Sequence, residues 1–165
     1  MAINLEKKQA IVTKISEIAN NSLSVVIADS SGITANKMNE LRKLARQNNV
    51  YISGTRNTLL RIIIRNTKFK CLIDCLTGSC LIGFSTAHAG TAARLFKNFS
   101  KINSQFILKS AAYEGKILTG GQIELLASLP TAEEALILLI ITMKEAAIGR
   151  LVRTINIYCK SKSTM

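Results

Sequence analysis

The sequence predicts an α+β protein: a split βαβ domain (a ferredoxin-like fold, or alpha-beta plait) with a helical insert, followed by a long C-terminal helix. Short β-branched runs alternate with segments whose apolar residues recur every three or four positions. Without the insert after the second strand, the order is strand–helix–strand twice, which is typical of an antiparallel plait with helices on one face. One helical pattern then follows Pro130, the only proline. A three-layer doubly wound sheet is the alternative arrangement.

The first half of the predicted domain combines two strand patterns with four helical ones. Ile11, Ile15 and Ile18 share one face of the first helix. The β-branched run LSVVIA is typical of a buried strand, and the turn sequence DSSG follows it. Thr34 is a suitable cap for the second helix. The predicted elements are helix 4–20, strand 23–28, helix 34–48, strand 50–53, helix 56–66 and a helical piece at 69–76.

The second half of the domain repeats the strand–helix–strand order. A helix with apolar residues on one face and cations on the other separates two strand patterns. The predicted elements are strand 79–84, helix 87–101, strand 105–113, a turn with a short extended piece at EGKILTGG, and helix 122–128. Because proline cannot continue a helix, the domain boundary is expected at Pro130. We therefore expect an α+β domain at residues 1–129 and a helical appendage at residues 130–165.

The segment after Pro130 is apolar over more than one helical face. Thr131 and Glu134 have the spacing of a capping box, and the helix predicted from Thr131 to Cys159 is about 43 Å long. Gly149 is the expected weak point inside it. A helix on the surface of its own domain needs only one apolar stripe, so partner helices are expected to cover the rest. The predicted partner-binding residues are Leu136, Leu139, Ile140, Met143, Ala147, Leu151, Val152 and Ile155.

The chain has a formal net charge of +12, which indicates a polyanionic partner. Residues 36–70 contain nine cations and one anion, a net charge of +8. This concentration favours an RNA or DNA surface over a generally soluble one, and the lack of aromatic residues beside the cations favours folded RNA over single strands. The nucleic-acid-binding residues predicted on this basis are Lys37, Arg42, Lys43, Arg46, Arg56, Asn57, Arg61 and Arg65.

The segment GTRNTLLRIIIR carries the sharpest of these predictions. Arg56 and Asn57 stand at a strand-to-helix junction, where helix N-terminal amides and a guanidinium can bind phosphate together. Arg61 and Arg65 are four residues apart and share a helix face. In the alternative interpretation, Asn57 or Thr58 caps the helix and the arginines form a solvated face. Both interpretations can hold at once.

Enzymatic, metal-binding and membrane-spanning functions are not indicated. The chain has a single histidine, His88, and has neither an acid/base pair of carboxylates nor a phosphate-binding glycine motif. Its four cysteines lack the repeated spacing of a zinc site, so no metal or cofactor is expected. The start, MAINLEKKQAIV, has charges where a signal peptide has its apolar core, which predicts a cytoplasmic protein with reduced thiols. The apolar run 135–141 is far shorter than the ~20 residues that cross a bilayer.

Several segments together resemble the bacterial large-subunit ribosomal protein L-ten family, which forms the base of the ribosomal stalk. They are KKQAIV, ELRK, RNTLLR, AARLFK, LPTAEEA, MKEA and RLVRTI. The resemblance covers about residues 2–155, and RNTLL and the LPT–helix junction are its most specific parts. Arg56, Asn57 and Thr58 match the family's RNT segment, and Lys7 and Lys8 match its basic first helix. The resemblance therefore adds Lys7, Lys8 and Thr58 to the expected RNA-binding residues.

The resemblance implies a non-enzymatic scaffold on the cytoplasmic large ribosomal subunit. In that family the N-terminal domain binds large-subunit ribosomal RNA beside protein L-eleven. The C-terminal helix binds dimers of the acidic stalk protein L-seven/L-twelve, which recruit translational GTPases, and some members bind their own messenger leader. The sequence departs from the family at Ser31, where relatives often have a larger or basic residue, and in its Ile- and Leu-rich final helix. The alternatives are a free RNA-binding regulator and a membrane-surface protein anchored by that helix.

Overall fold

The computed structural model describes residues 5–163, and the chain divides into two units between Leu129 and Pro130. The first unit is called the N-terminal domain here, and the second the C-terminal helix. Asn4, the predicted start of the first helix, lies outside the described residues.

The described part of the N-terminal domain contains one five-stranded sheet, in which every neighbouring pair of strands is antiparallel. Its strand order is β2-β3-β1-β4-β5, so β2 and β5 are the edge strands. The strands are Ser24–Asp29 (β1), Val50–Ser53 (β2), Cys80–Ser85 (β3), Ile107–Tyr113 (β4) and Lys116–Thr119 (β5).

Helices connect and cover these strands close to where the sequence predicts them. Thr34 stands at the predicted N-cap, but its side chain makes no capping hydrogen bond. The short piece predicted at residues 69–76 is a 3₁₀ helix, Lys70–Cys75. The α-helices of the domain are Leu5–Asn21 (α1), Ala35–Gln47 (α2), Asn57–Arg65 (α3), Thr91–Ile102 (α4) and Gly121–Ser128 (α5).

The topology confirms the predicted α+β class. The units β1–α2–β2 and β3–α4–β4 interlock in one antiparallel sheet, which is the split βαβ arrangement, and α3 with the 3₁₀ helix forms the insert between them. Antiparallel pairing excludes the doubly wound alternative, which needs parallel neighbours. β5 extends the sheet through a tight turn in which Glu114 and Gly115 both have positive φ, 49° and 76°.

The prediction that helices cover only one face of the sheet is wrong. α2, α4 and α5 enclose one core with Val26 and Ala28 of β1, whereas α1, α3 and the 3₁₀ helix enclose a second core with Val25 and Ile27. Successive residues of a strand point to opposite faces, and these four are fully buried, so each face needs its own cover. The helical insert and α1 supply the second layer.

The described part of the C-terminal helix is helical throughout residues 132–163, about 48 Å at the usual rise. Thr131 and Glu134 form the predicted capping box, with the Thr131 amide donating to Glu134 Oε2 (3.0 Å) and the Glu134 amide donating to Thr131 Oγ1 (3.3 Å). The helix passes the predicted end at Cys159. Its parts are α-helix Ala132–Lys144 (α6), a π-helical turn Glu145–Gly149 and α-helix Arg150–Ser163 (α7).

A π-helical turn inserts one extra residue into the helical repeat, and this one ends at Gly149, the predicted weak point. The extra residue shifts the helical register between α6 and α7, and these two segments have different apolar patterns. Within residues 5–163, neither of these segments nor any other single helix is long and apolar enough to cross a membrane. Only α5 and α6 taken together across Pro130 reach that length and composition.

Candidate nucleic-acid interface

The α2 helix presents a row of cations to solvent. Leu41 and Ala45 are buried against the sheet, so the residues between them face outward. The cations of α2 are all exposed: Lys37, Arg42, Lys43 and Arg46. Arg42 and Arg46 also line a groove that runs along edge strand β2 as far as Gly54.

A second depression lies beside this groove, at the N-terminus of α3. It is lined by Ser30, residues 54–58 and residues 78–80, and Gly54 belongs to both features. Arg56 is the N-cap residue of α3; its side chain is exposed and its carbonyl accepts from the amides of Leu59 (2.9 Å) and Leu60 (3.1 Å). The first amides of a helix have no partner within the helix, so this end attracts anions.

The groove and the depression together form one exposed cationic surface around strand β2. We call it the basic surface and define it by Lys37, Arg42, Lys43, Arg46 and Arg56. The side-chain oxygen of Thr55 is buried in the lining of the depression and has no hydrogen-bond partner among the described residues. The surface therefore offers guanidinium groups, ammonium groups and the first amides of α3 to an anionic ligand.

Two residues predicted to bind RNA make hydrogen bonds within the domain. Asn57 Nδ2 donates to the Gly78 carbonyl (2.8 Å), and an Arg61 guanidinium nitrogen donates to the Leu76 carbonyl (3.2 Å). The alternative role of Asn57 or Thr58 as a helix cap is wrong, because Arg56 is the N-cap and no side chain caps α3.

The remaining predicted cations lie on the other side of the sheet. Arg65 is exposed in the last turn of α3, while Lys7 is exposed and Lys8 half-buried on α1. α1 packs against α3 in the core that lies opposite α2. The eleven predicted residues therefore do not form one patch, and the α1 pair is separated from the cations of α2 by the sheet.

The sequence analysis did not predict a network of hydrogen bonds and one ion pair that lies beside the depression and is centred on Lys109 and Asp29. Lys109 Nζ lies 2.8 Å from Asp29 Oδ2 and donates to the Thr77 carbonyl at 2.6 Å. Asp29 Oδ1 accepts from the backbone amide (3.0 Å) and hydroxyl (2.7 Å) of Ser31, so the Asp29 side chain also fixes the turn after β1. The Ser30 and Ser79 hydroxyls are 3.0 Å apart. The only sequence signal was Lys109, the single charged residue in the strand predicted at residues 105–113.

The hydrogen bond from Lys109, followed by those from Ser31, lowers the pKa of Asp29 from 3.8 to about 2. A carboxylate whose pKa is depressed by folding stabilises the fold above its ordinary pKa, and that contribution disappears as the pH falls through the depressed value. Asp29 is therefore ionised, and paired with Lys109, throughout the neutral pH range.

The thiols and carboxylates form no metal centre in the described part of the chain. No group of three or more His, Cys, Asp or Glu side chains is placed to hold a metal ion there. Cys71 and Cys75 are half-buried, Cys159 is exposed, and burial raises the pKa of the Cys80 thiol. Cys80 Sγ instead donates to the Thr77 carbonyl (3.2 Å).

The C-terminal helix exposes its apolar side chains. Six consecutive residues of α6, 136–141, are each between 50 and 63% exposed. α7 differs, because Leu151, Val152, Ile155 and Tyr158 lie within one stripe while the cations Arg150 and Arg153 lie outside it. All eight predicted partner-binding residues are exposed: Leu136, Leu139, Ile140, Met143, Ala147, Leu151, Val152 and Ile155.

Comparison with known proteins decides the family. The family model described as ribosomal protein L10 matches residues 3–101. The chain is 54% identical over 155 residues to the large ribosomal subunit protein uL10 of Erwinia tasmaniensis, covering 94% of this chain and 93% of that protein. The chain belongs to the bacterial uL10 family. It is also 54% identical to the uL10 of Pectobacterium atrosepticum and 53% identical to that of Klebsiella pneumoniae, with 94% of each chain covered in both cases.

Membership of the uL10 family confirms the resemblance seen in the sequence. It makes the chain a bacterial protein of the large ribosomal subunit, located on the cytoplasmic ribosome. uL10 proteins are structural components of the ribosome and not enzymes.

Proposed function

We propose that this uL10 chain forms the base of the ribosomal stalk, holding ribosomal RNA with its N-terminal domain and acidic stalk-protein dimers with its C-terminal helix. One observation carries the proposal. The N-terminal domain packs most of its large apolar side chains, fully or partly buried, in two cores of its own, whereas every large apolar side chain described for the C-terminal helix is exposed. A helix of that kind needs a partner, and a basic domain attached to it needs a polyanion.

The basic surface supports binding to large-subunit ribosomal RNA. Its cations stand on a rigid helix and at a helix N-terminus, so they can contact phosphates at fixed positions. Tyr51 of β2 lines the groove, but it is half-buried and contacts Phe84, so it is not a free platform for a base. The surface therefore fits the backbone of a folded RNA better than an unpaired strand.

The two segments of the C-terminal helix support binding to the stalk protein L-seven/L-twelve. α6 is apolar around its whole circumference between residues 136 and 141, so partner helices have to enclose it. α7 has an apolar stripe, and outside it Arg150, Arg153 and Lys160 surround the exposed Ile157. This largely cationic side suits an acidic partner. Burial of each large side chain contributes about 1.5–3 kcal/mol, so a few of them are enough for stable assembly.

The mechanism that follows is positional rather than chemical. RNA binding fixes the N-terminal domain on the large subunit, and the helix carries several copies of the stalk protein near the same place. Translational GTPases then meet a raised local concentration of recruiting arms. By resemblance to the family, protein L-eleven is the expected neighbour on the RNA, and the chain's own messenger leader is a second possible RNA ligand.

Co-sedimentation tests this proposal against its two alternatives. The full-length chain, produced together with the stalk protein of the same organism, is expected to sediment with large subunits lacking their own uL10 and to bring stalk protein with it. A chain ending at Pro130 is expected to sediment with the same subunits without stalk protein. A full-length chain that stays in the supernatant would favour a free RNA-binding regulator, and one that sediments only with anionic lipid vesicles would favour the membrane-surface role.

A further inference from the structure

The loop at residues 76–79, between the 3₁₀ helix and β3, is held by its backbone carbonyls. Each of its four carbonyl oxygens accepts a hydrogen bond, and the donors come from three parts of the domain. Leu76 accepts from Arg61 (3.2 Å), Thr77 from Lys109 (2.6 Å), Gly78 from Asn57 (2.8 Å), and Ser79 from the Ser30 amide (3.4 Å). α3, β4 and the turn after β1 therefore fix this loop together.

The same loop forms one wall of the depression at the N-terminus of α3. Gly78 and Ser79 line it opposite Arg56. Gly78 has φ of +71°, and a Cβ atom there would lie 3.3 Å from Lys109 Nζ. Glycine is thus favoured by its backbone conformation and by the close approach of the lysine. The shape of the depression depends on where this loop is held.

Lys109 and Asp29 hold the 76–79 loop without lining the depression. The Lys109 ammonium connects the Asp29 carboxylate to the Thr77 carbonyl, and Ser31 fixes the carboxylate in turn. Their side chains are only 24% and 20% exposed. Among the described residues, the lining of the depression includes neither of them, although Ser30, which follows Asp29, is part of it.

We propose that Asp29 and Lys109 are positioning residues for RNA binding, which hold the 76–79 loop in the shape that receives the RNA backbone without touching the RNA themselves. This inference rests on the proposed RNA-binding function of the N-terminal domain. Charge alone would assign both residues a different role. It would make Lys109 a direct phosphate contact and Asp29 an anion that weakens RNA binding.

Positioning and direct contact predict different results. A lysine that contacts phosphate releases a counterion, so its removal flattens the dependence of affinity on salt by nearly one unit of slope. Removal of a positioning lysine lowers the affinity for RNA but leaves the dependence of affinity on salt unchanged. For Asp29 the signs are opposite: removing an anion beside an RNA site strengthens binding by electrostatics alone, whereas loss of the positioning role weakens it.

The test measures the affinity of the full-length chain for a transcript of the stalk-base segment of large-subunit ribosomal RNA, at several salt concentrations. Asp29→Asn and Lys109→Met are each expected to bind roughly tenfold more weakly than the wild type with the same salt slope. Because both residues act through one loop, the double variant is expected to bind little more weakly than either single variant. Lys116→Met, an exposed lysine of edge strand β5, is the matched control and is expected to bind like the wild type.

Each outcome decides between defined alternatives. Asp29→Asn that binds as well as or better than the wild type overturns the positioning role, and so does Lys109→Met with a flattened salt slope. If Lys109→Met fails to fold, as judged by its circular dichroism, the nearly isosteric Asp29→Asn carries the test. If the wild-type chain does not bind the transcript, the proposed RNA function itself is overturned. If the wild type and both variants bind the transcript with equal affinity, only this inference is overturned.

Discussion

Removing the C-terminal helix is expected to abolish capture of the acidic stalk protein and to leave the N-terminal domain folded. A chain ending at Pro130 keeps both cores, since every residue of these cores precedes that proline. It loses all the exposed apolar residues of α6 and α7. Its melting curve should show one cooperative transition, and a pull-down with stalk protein should recover none.

A single substitution gives a finer version of this prediction. Leu151→Asp places a carboxylate within the apolar stripe of α7 and is expected to weaken stalk-protein binding by about tenfold to a hundredfold, because burial of one leucine contributes about 1.5–3 kcal/mol. Ile157→Asp is the matched control, since it places the same carboxylate about 120° around the helix from Leu151, among the cations outside the stripe. Equal affinities for the two variants, measured by titration with stalk protein, would contradict a role for the stripe.

Reversing two charges of the basic surface is expected to weaken RNA binding by on the order of a hundredfold. The variant is Arg46→Glu with Arg56→Glu, which changes one cation of the groove and one of the depression. Arg61 is left unchanged because its guanidinium donates to the Leu76 carbonyl, so its loss would also disturb the loop. The salt slope for binding to the stalk-base transcript should fall by roughly two units, since two phosphate contacts are lost.

The control for this reversal has the same net charge. Lys101→Glu with Lys116→Glu changes two exposed lysines, the first in α4 and the second in β5, the edge strand farthest from β2 in the sheet order. A general electrostatic attraction would make the two double variants equally weak. If the interface is local, only the variant with Arg46 and Arg56 changed binds RNA weakly. This difference between the two double variants is the expected result.

Much of the fold follows from local patterns in the sequence. The strand β1 was predicted from its β-branched run, and the capping box was predicted from Thr131 and Glu134. Both predictions depend only on residues close together in the sequence, and both features are present in the structure. The second layer of helices is not read in this way, because periodicity shows that a helix has an apolar face and not which face of the sheet it covers. The available signal was the uninterrupted apolar run Val25, Val26, Ile27 and Ala28, since four successive apolar residues of a strand need cover on both faces.

The candidate site was harder to predict than the fold because its contacts are distant in the sequence. Asn57 reaches Gly78 across 21 residues, and Lys109 reaches Thr77 across 32. Charge density selects the cations, but it cannot separate the exposed arginines of α2 from Arg61, whose guanidinium donates to a backbone carbonyl of the same domain. Composition also gives no way to recognise that the sheet separates Lys7 and Lys8 from α2.

The mass of the intact assembly tests the central claim most directly. The full-length chain, the stalk-base transcript and the stalk protein are mixed and their complexes weighed by native mass spectrometry. The account predicts one complex that contains one chain, one RNA and an even number of stalk-protein copies, and a chain ending at Pro130 in complex with RNA alone. A truncated chain that still carries stalk protein, or a full-length chain that binds RNA and stalk protein only in separate complexes, would contradict it.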